Sequence, residues 1–171
     1  MIKHRVVITG MGVVAPNAVG LDSFLKAIQK GRSGVKFHQK LKDLKFSCCI
    51  GGIPAIGEEL KNQYLTPLQL RGFDSAGILY GCIAGIDAWK DAGFIIDKNS
   101  KTDYDSGMVF GSGTSGVEKF REAIYKLDNH KVRRLGSTVV LQTMASGISA
   151  YLGGILGLGN QVTTNSSACS T

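Results

Sequence analysis

The alternation of β-branched runs with helix-spaced apolar residues predicts an α/β layered fold. Three observations carry it. Val6-Val7-Ile8-Thr9, residues 107–110 and residues 161–165 each read as a short buried strand. Segments with helical spacing separate them. Glycine-rich turns follow the first two strands, and the chain holds 23 Gly against 3 Pro, which suits close packing of helices on strands. A hydrophobic share of 43% and a charged share of 19% place the chain among globular proteins. Its 171 residues fit one domain or one lobe of a larger one.

The elements follow in order. Val6–Thr9 is the first strand, and Gly10 to Gly20 a glycine-punctuated loop. Lys3-His4-Arg5 ahead of this apolar stretch loosely mimics a signal peptide, but its glycines and β-branched residues suit a strand and turn better. Asp22 or Ser23 caps a helix with Phe24, Leu25 and Ile28 on its apolar face and Gly31 as its stop. Residues 32–67 are basic and irregular, with short strands expected near 46–53. Thr66-Pro67 opens a long helix over 68–92, with Pro in the first turn. Ile78, Leu79, Cys82, Ile83, Ile86 and Trp89 form its apolar face and Gly93 ends it.

The second strand, 107–110, leads into a loop at Gly111–Gly116 and a helix over 117–127. A polar basic stretch follows. Residues 138–158, rich in Ala, Ser and Gly and nearly free of charge, predict one helix buried on most sides, ended by Gly157 and Gly159. Residues 161–165 form the last strand. No apolar run approaches the roughly 20 residues of a membrane span, so no membrane partner is expected.

Net charge is +7, which favours an acidic partner. The basic residues are scattered and there is no aromatic stripe, which argues against nucleic acid. Cys48, Cys49, Cys82 and Cys169 lack metal spacing, and His4, His38 and His130 have no matching partners. The cysteine usage is that of a reduced, cytoplasmic protein, with no metal or cofactor expected. Two stretches imitate a dinucleotide fingerprint: Gly10-Met-Gly12-Val-Val-Ala15 and Gly111-Ser-Gly113-Thr-Ser-Gly116. Pro16 follows the first directly, and no acidic residue lies between 23 and 42 to hold a ribose. For the second, Asp128 falls at a helix end rather than after a strand. Tight turns and close backbone approach explain both.

Asn165-Ser166-Ser167-Ala168-Cys169-Ser170-Thr171 carries the chemistry. A cysteine framed by small residues after the β-branched run Val162-Thr163-Thr164 has the pattern of a nucleophile on a strand-to-helix turn. Small neighbours admit a substrate, and a helix N-terminus favours thiolate. Against this stands the common use of free Cys as a small buried hydrophobe.

At this point the chain resembles the β-ketoacyl-acyl-carrier-protein synthases, condensing enzymes with the thiolase fold. The resemblance rests on Arg5–Val14, on Gly31-Arg32-Ser33-Gly34-Val35-Lys36-Phe37, on Gly111-Ser112-Gly113, on Met144-Ala145-Ser146-Gly147-Ile148-Ser149-Ala150 and on Ser166–Thr171. The last two are closest to the type I branch. It implies the N-terminal half of a thiolase-like αβαβα domain, with residues 1–171 as that half. It also implies Cys169 as the residue that takes an acyl group from acyl carrier protein, followed by decarboxylative condensation with a malonyl thioester. Gly111, Gly113, Thr114 and Met144 would line the acyl site or a dimer interface. Arg71 and Arg133, with Lys61, Lys131 and Arg134 nearby in character, would dock the acidic carrier. A homodimer would pair through the strand near Val162. The family's other catalytic groups, two histidines and a lysine, match nothing here, so the 171-residue polypeptide alone is expected to lack condensing activity. Other readings are a thiolase, a specialised polyketide or aryl-polyene condensing enzyme, and a non-catalytic partner of an active synthase.

Overall fold

The computed structural model describes residues 4–71, 75–97 and 101–171. The elements run β1 (Val14–Ala15), β2 (Ala18–Val19), α1 (Leu21–Gln29), β3 (Val35–Phe37), α2 (Gln39–Asp43), β4 (Ile50–Gly52), α3 (Glu58–Tyr64), α4 (Pro67–Leu70), α5 (Ala76–Asp91), β5 (Met108–Gly111), α6 (Val117–Asp128), α7 (Val139–Thr143), α8 (Gly147–Leu156) and β6 (Val162–Asn165). Single 3-10 turns lie at Val132–Arg134 and Ala168–Ser170. The chain divides into two compact units, one of residues 1–60 and 83–94, the other of residues 61–82 and 95–171.

In the first unit, β1 and β2 form a two-residue hairpin with Val14 opposite Val19 and Ala15 opposite Ala18. β3 and β4 form an antiparallel pair of three residues each, joined through α2, with Phe37 opposite Ile50. The expected strand at Val6–Thr9 does not form: Val6 and Ile8 are 95% and 86% exposed, and no described strand pairs with them. Glycine decides what the segment does instead. A Cβ on Gly10 would stand 2.4 Å from the Ala88 carbonyl oxygen, and one on Gly12 1.9 Å from that of Ala84. Ala84, Ala88 and Ala92 recur every fourth residue and so make a flat stripe on one helix face. The two glycines lie against that stripe, and the Met11 N–H donates to Asp91 Oδ2 at 2.9 Å. This first fingerprint-like stretch is therefore a helix-packing device.

Two other expectations change here. α1 begins at Leu21, ahead of both proposed caps, Asp22 and Ser23. Its N-cap is Gly20, at φ 83 with no side-chain cap, because the tight hairpin before it demands a left-handed residue that only glycine adopts cheaply. Leu25 and Ile28 are more than half exposed, and only Ala27 of this helix is buried.

The second unit holds the parallel pair. Met108, Val109, Phe110 and Gly111 of β5 stand opposite Val162, Thr163, Thr164 and Asn165 of β6, and α6, α7 and α8 form the crossover that a parallel connection requires. Leu65, Ile78, Leu79, Cys82, Ile148 and Leu152 are its buried apolar residues. The single helix expected over 68–92 is two. Thr66 and Gln69 form a reciprocal capping box with Pro67 in the first turn of α4, but Arg71 turns to extended backbone (φ −65°, ψ 110°), and α5 starts afresh at Ala76. Residues 72–74 of the predicted helix lie outside the described residues.

The helix expected over 138–158 is likewise broken, at Met144–Ser146, where Met144 is extended (ψ 142°). α8 does carry the buried face, through Gly147, Ile148, Ser149, Leu152 and Gly153. In α7 only Gln142 is buried. Gly157, at φ 69, closes α8 as expected.

Candidate functional site

Cys169 follows β6 by way of Ser166 and Ser167 and sits in the middle of the turn Ala168–Ser170. Ala168 is left-handed, φ 53, a conformation costing roughly 1–2 kcal/mol for a residue with a Cβ. The turn is fixed by local hydrogen bonds. The Ser167 N–H donates to Thr171 Oγ1 at 2.7 Å, and the Ser167 hydroxyl donates to Asn165 Oδ1 at 3.1 Å. Cys169 itself is exposed. The described residues give it one turn rather than a long helix N-terminus.

The loop after β5 lies beneath this turn. The Ser112 N–H donates to the Asn165 carbonyl at 3.0 Å, extending the strand pairing by one residue. The Ser166 hydroxyl donates to the Gly113 carbonyl at 3.4 Å. A Cβ on Gly111 would stand 2.8 Å from the Thr171 methyl, and one on Gly113 3.6 Å from Ala168. The structure thus brings Gly111 and Gly113 together with the Cys169 turn; a side chain at Gly111 would press on the Thr171 methyl, while one at Gly113 would make only ordinary contact with Ala168. Thr114 is exposed, its carbonyl facing the Ser112 hydroxyl at 3.5 Å. Gly116, at φ 63, ends the loop against α7, so the second fingerprint-like stretch also packs protein on protein. Met144 stands at the α7–α8 break, 48% exposed. Arg71 and Arg133 are both exposed, on separate segments.

Two polar clusters escaped the sequence reading. The Ser75 N–H donates to Gln142 Oε1 at 3.0 Å, while the Ser75 hydroxyl and the Ala76 N–H donate to Glu118 Oε1 at 3.0 and 3.1 Å. Glu118 therefore caps α5 from another helix. A lone Gln in an otherwise apolar stretch was the only signal. The second cluster joins Ser149 and Thr164, whose hydroxyl oxygens are 2.6 Å apart. In the sequence Ser149 reads only as a small residue for helix packing.

Titration behaviour follows burial and pairing. Burial pushes the Cys82 thiol up to about 12. Desolvation, helped by Cys82, raises the Tyr151 phenol, which donates to the Gln69 carbonyl. Lys126 and then Lys119 hold the Glu122 carboxyl below its usual range. Their ammonium groups lie 2.7 and 3.1 Å away. These three residues line a cleft of about 250 Å³ together with Arg134, Thr138 and Gln142. Among the described residues no group of three or more His, Cys, Asp and Glu could hold a metal ion, and no helix is long and apolar enough to cross a membrane.

The parallel strand pair with its helical crossover and the turn after it is an α/β arrangement. A crystal structure of a β-ketoacyl synthase from Burkholderia phymatum superposes with a TM-score of 0.75 at 22% identity, over 96% of this chain and 40% of that one. A structure of a type II polyketide acyl-carrier protein in complex with its ketosynthase matches at a TM-score of 0.67 and 19% identity, over 94% of this chain and 37% of that one. The family profile for the β-ketoacyl synthase N-terminal domain matches residues 3–171, and the chain belongs to that family. It is 30% identical to the 3-oxoacyl-[acyl-carrier-protein] synthase 2 of Vibrio cholerae over its whole length, covering 40% of that protein. The chain spans about 40% of the length of the curated relatives it matches.

Proposed function

We propose that this chain is the nucleophile-bearing half of a 3-oxoacyl-acyl-carrier-protein synthase, and that Cys169 is the residue acylated. The observation that carries this is the exposed Cys169 on a tight turn directly after the parallel strand β6, laid over Gly111 and Gly113, in a chain of the β-ketoacyl synthase N-terminal family.

The reaction runs in two halves. The Cys169 sulfur attacks an acyl thioester; the carbon–sulfur bond to the carrier breaks, and the carrier thiol leaves with the proton. A malonyl carrier thioester then loses carbon dioxide. The carbanion left by that cleavage attacks the acyl carbon and expels Cys169 as thiolate, giving a β-ketoacyl carrier two carbons longer. Backbone N–H groups at such a turn stabilise the developing oxyanion, each by about 3 kcal/mol in comparable sites. Fatty-acid biosynthesis is the setting, supported by the curated relatives' names as 3-oxoacyl-[acyl-carrier-protein] synthases; a cytoplasmic location is part of the same proposal.

The substrate is presented by an acidic carrier protein docking on Arg71 and Arg133. Gly111, Gly113, Thr114 and Met144 line the acyl site, and a homodimer forms through the strand near Val162. The 171 residues alone lack the groups that assist decarboxylation and make no condensation product.

The test is direct. Full-length protein is incubated with an acyl carrier thioester and digested, and the Cys169 peptide is weighed. Acyl mass on Cys169, absent from Cys169→Ala, supports the reading. An unmodified Cys169 with acyl groups elsewhere, or nowhere, sinks it. For docking, Arg133→Glu is expected to slow association with the carrier at low salt and to matter less as salt screens the charge.

A further inference from the structure

We infer that Ser149 and Thr164 are positioning residues that set where the Cys169 turn stands relative to Met144; the inference rests on the functional reading above. Ser149 is 3% exposed. It lies four residues before Gly153 on one face of α8, and these two residues meet two positions of β6. A Cβ on Gly153 would touch the Val162 methyls at 3.2 and 3.5 Å, and the Ser149 hydroxyl meets that of Thr164. Four helical residues rise about 6 Å, and two strand residues advance about 6.6 Å. The helix face and the strand face are thus matched in register and run in opposite directions.

Donor accounting fixes the direction of the hydrogen bonds. The Ser149 hydroxyl donates to the Ser146 carbonyl at 3.0 Å, and a carbonyl can only accept. The single Ser149 proton is spent there, so Thr164 is the donor in the 2.6 Å pair. The Ser146 carbonyl also accepts the Ala150 N–H, which uses its second lone pair. The result is an ordered chain, from Thr164 to Ser149 to the Ser146 carbonyl. One end is on β6, one residue before Asn165 and the nucleophile turn. The other is at the Met144–Ser146 break, where the acyl site is placed. Packing alone leaves a helix free to slide along a strand by fractions of an ångström; a directional, part-buried bond of this length to the buried Ser149 removes that freedom. Displacements near 1 Å cost about a hundredfold in comparable reactions.

The experiment measures acylation of Cys169 by an acyl carrier thioester in the full-length protein, with Thr164→Val, Thr164→Ser and Ser149→Ala. Thr164→Val keeps the shape and the strand preference and replaces the donating hydroxyl with a methyl. The expected result is a tenfold or greater fall in the acylation rate constant with KM within about twofold. Thr164→Ser restores the rate, and the double variant Ser149→Ala, Thr164→Val is no slower than the slower single. Rates equal to wild type in Thr164→Val, or Thr164→Ser as slow as Thr164→Val, overturn the inference. Should Ser149→Ala fail to fold, the two Thr164 variants decide. Should the wild type take no acyl group, the functional reading fails, and the positioning is judged on iodoacetamide alkylation of Cys169 relative to the exposed Cys48. Thr164→Val then changes that ratio by about twofold or more and Thr164→Ser does not; an unchanged ratio overturns it.

Discussion

Gly116 and Gln142 are fitted backbone to backbone: a Cβ on Gly116 would stand 1.8 Å from the Gln142 carbonyl oxygen, and Gly116 is left-handed at φ 63. The carbonyl cannot swing away as a flexible side chain would, since it belongs to α7. The contact anchors one end of the Gly111–Gly116 loop, whose other end supports the Cys169 turn.

Gly116→Ala is therefore expected to destabilise the protein by about 2 kcal/mol or more, combining overpacking with a left-handed non-glycine residue. Gly154→Ala is the matched control. Nothing lies within 4 Å of a Cβ there, and no left-handed φ is involved, so replacing glycine inside α8 should stabilise by roughly 0.5–1 kcal/mol. Thermal unfolding followed by far-UV circular dichroism reads both, and equal effects of the two substitutions would refute the assignment.

Gln142 is 2% exposed, and its side-chain oxygen accepts the buried Ser75 N–H. Gln142→Ala strands that donor and should cost about 1–3 kcal/mol. Glu118→Ala removes a cap from the start of α5 and should cost about 1 kcal/mol. The two bonds meet at Ser75, so the double variant should cost less than the two losses added together. Urea unfolding of the three variants measures this; strict additivity would mean that the groups act separately.

Cysteine reactivity should split by burial. Cys82 has no exposed surface, and its thiol is pushed up to about 12 from 9.0. It should resist alkylation in the native protein while Cys48 and Cys169 react. The linkage has a definite sign. Below pH 9.0 the thiol is protonated in both states and costs nothing. As pH rises from 9.0 towards 12 the unfolded thiol ionises and the folded one does not, so stability falls. Cys82→Ala should flatten this alkaline loss, at the expense of packing. An alkaline slope unchanged by Cys82→Ala would assign the loss to other groups.

Glu122 titrates the opposite way. Lys126 and Lys119 lower its folded pKa from 4.5, so its contribution is present above that value and is lost as pH falls through the lowered one. The carboxylate is largely solvated, and helix pairs of this spacing contribute about 0.3–0.5 kcal/mol each. Glu122→Gln should cost less than about 1 kcal/mol near neutral pH, and less in high salt. A large loss that salt does not change would point instead to the cleft that these residues line.

The sequence by itself determined the elements whose causes are local. Thr66-Pro67 with Gln69 makes a capped helix start wherever it stands. Val162-Thr163-Thr164 prefers extended backbone, Gly157 closes a helix, and small residues around Cys169 mark an approachable thiol. The strands at 107–110 and 161–165 were legible flanking helical segments; their parallel pairing with each other came from the structure. Tertiary structure decided everything that depends on a distant neighbour. Val6–Thr9 has strand-forming residues but no described partner, so propensity alone does not make it a strand. The apolar run over 138–158 breaks at Met144–Ser146, because Gly147 packs close to the Leu141 carbonyl and Ser149 reaches Thr164. Likewise the bonds of Ser75 with Glu118 and Gln142 join positions 43 and 67 residues apart. Propensity acts over a turn or a strand length, while hydrogen-bond satisfaction and close packing act through space. A one-dimensional pattern contains the first and leaves the second to the fold.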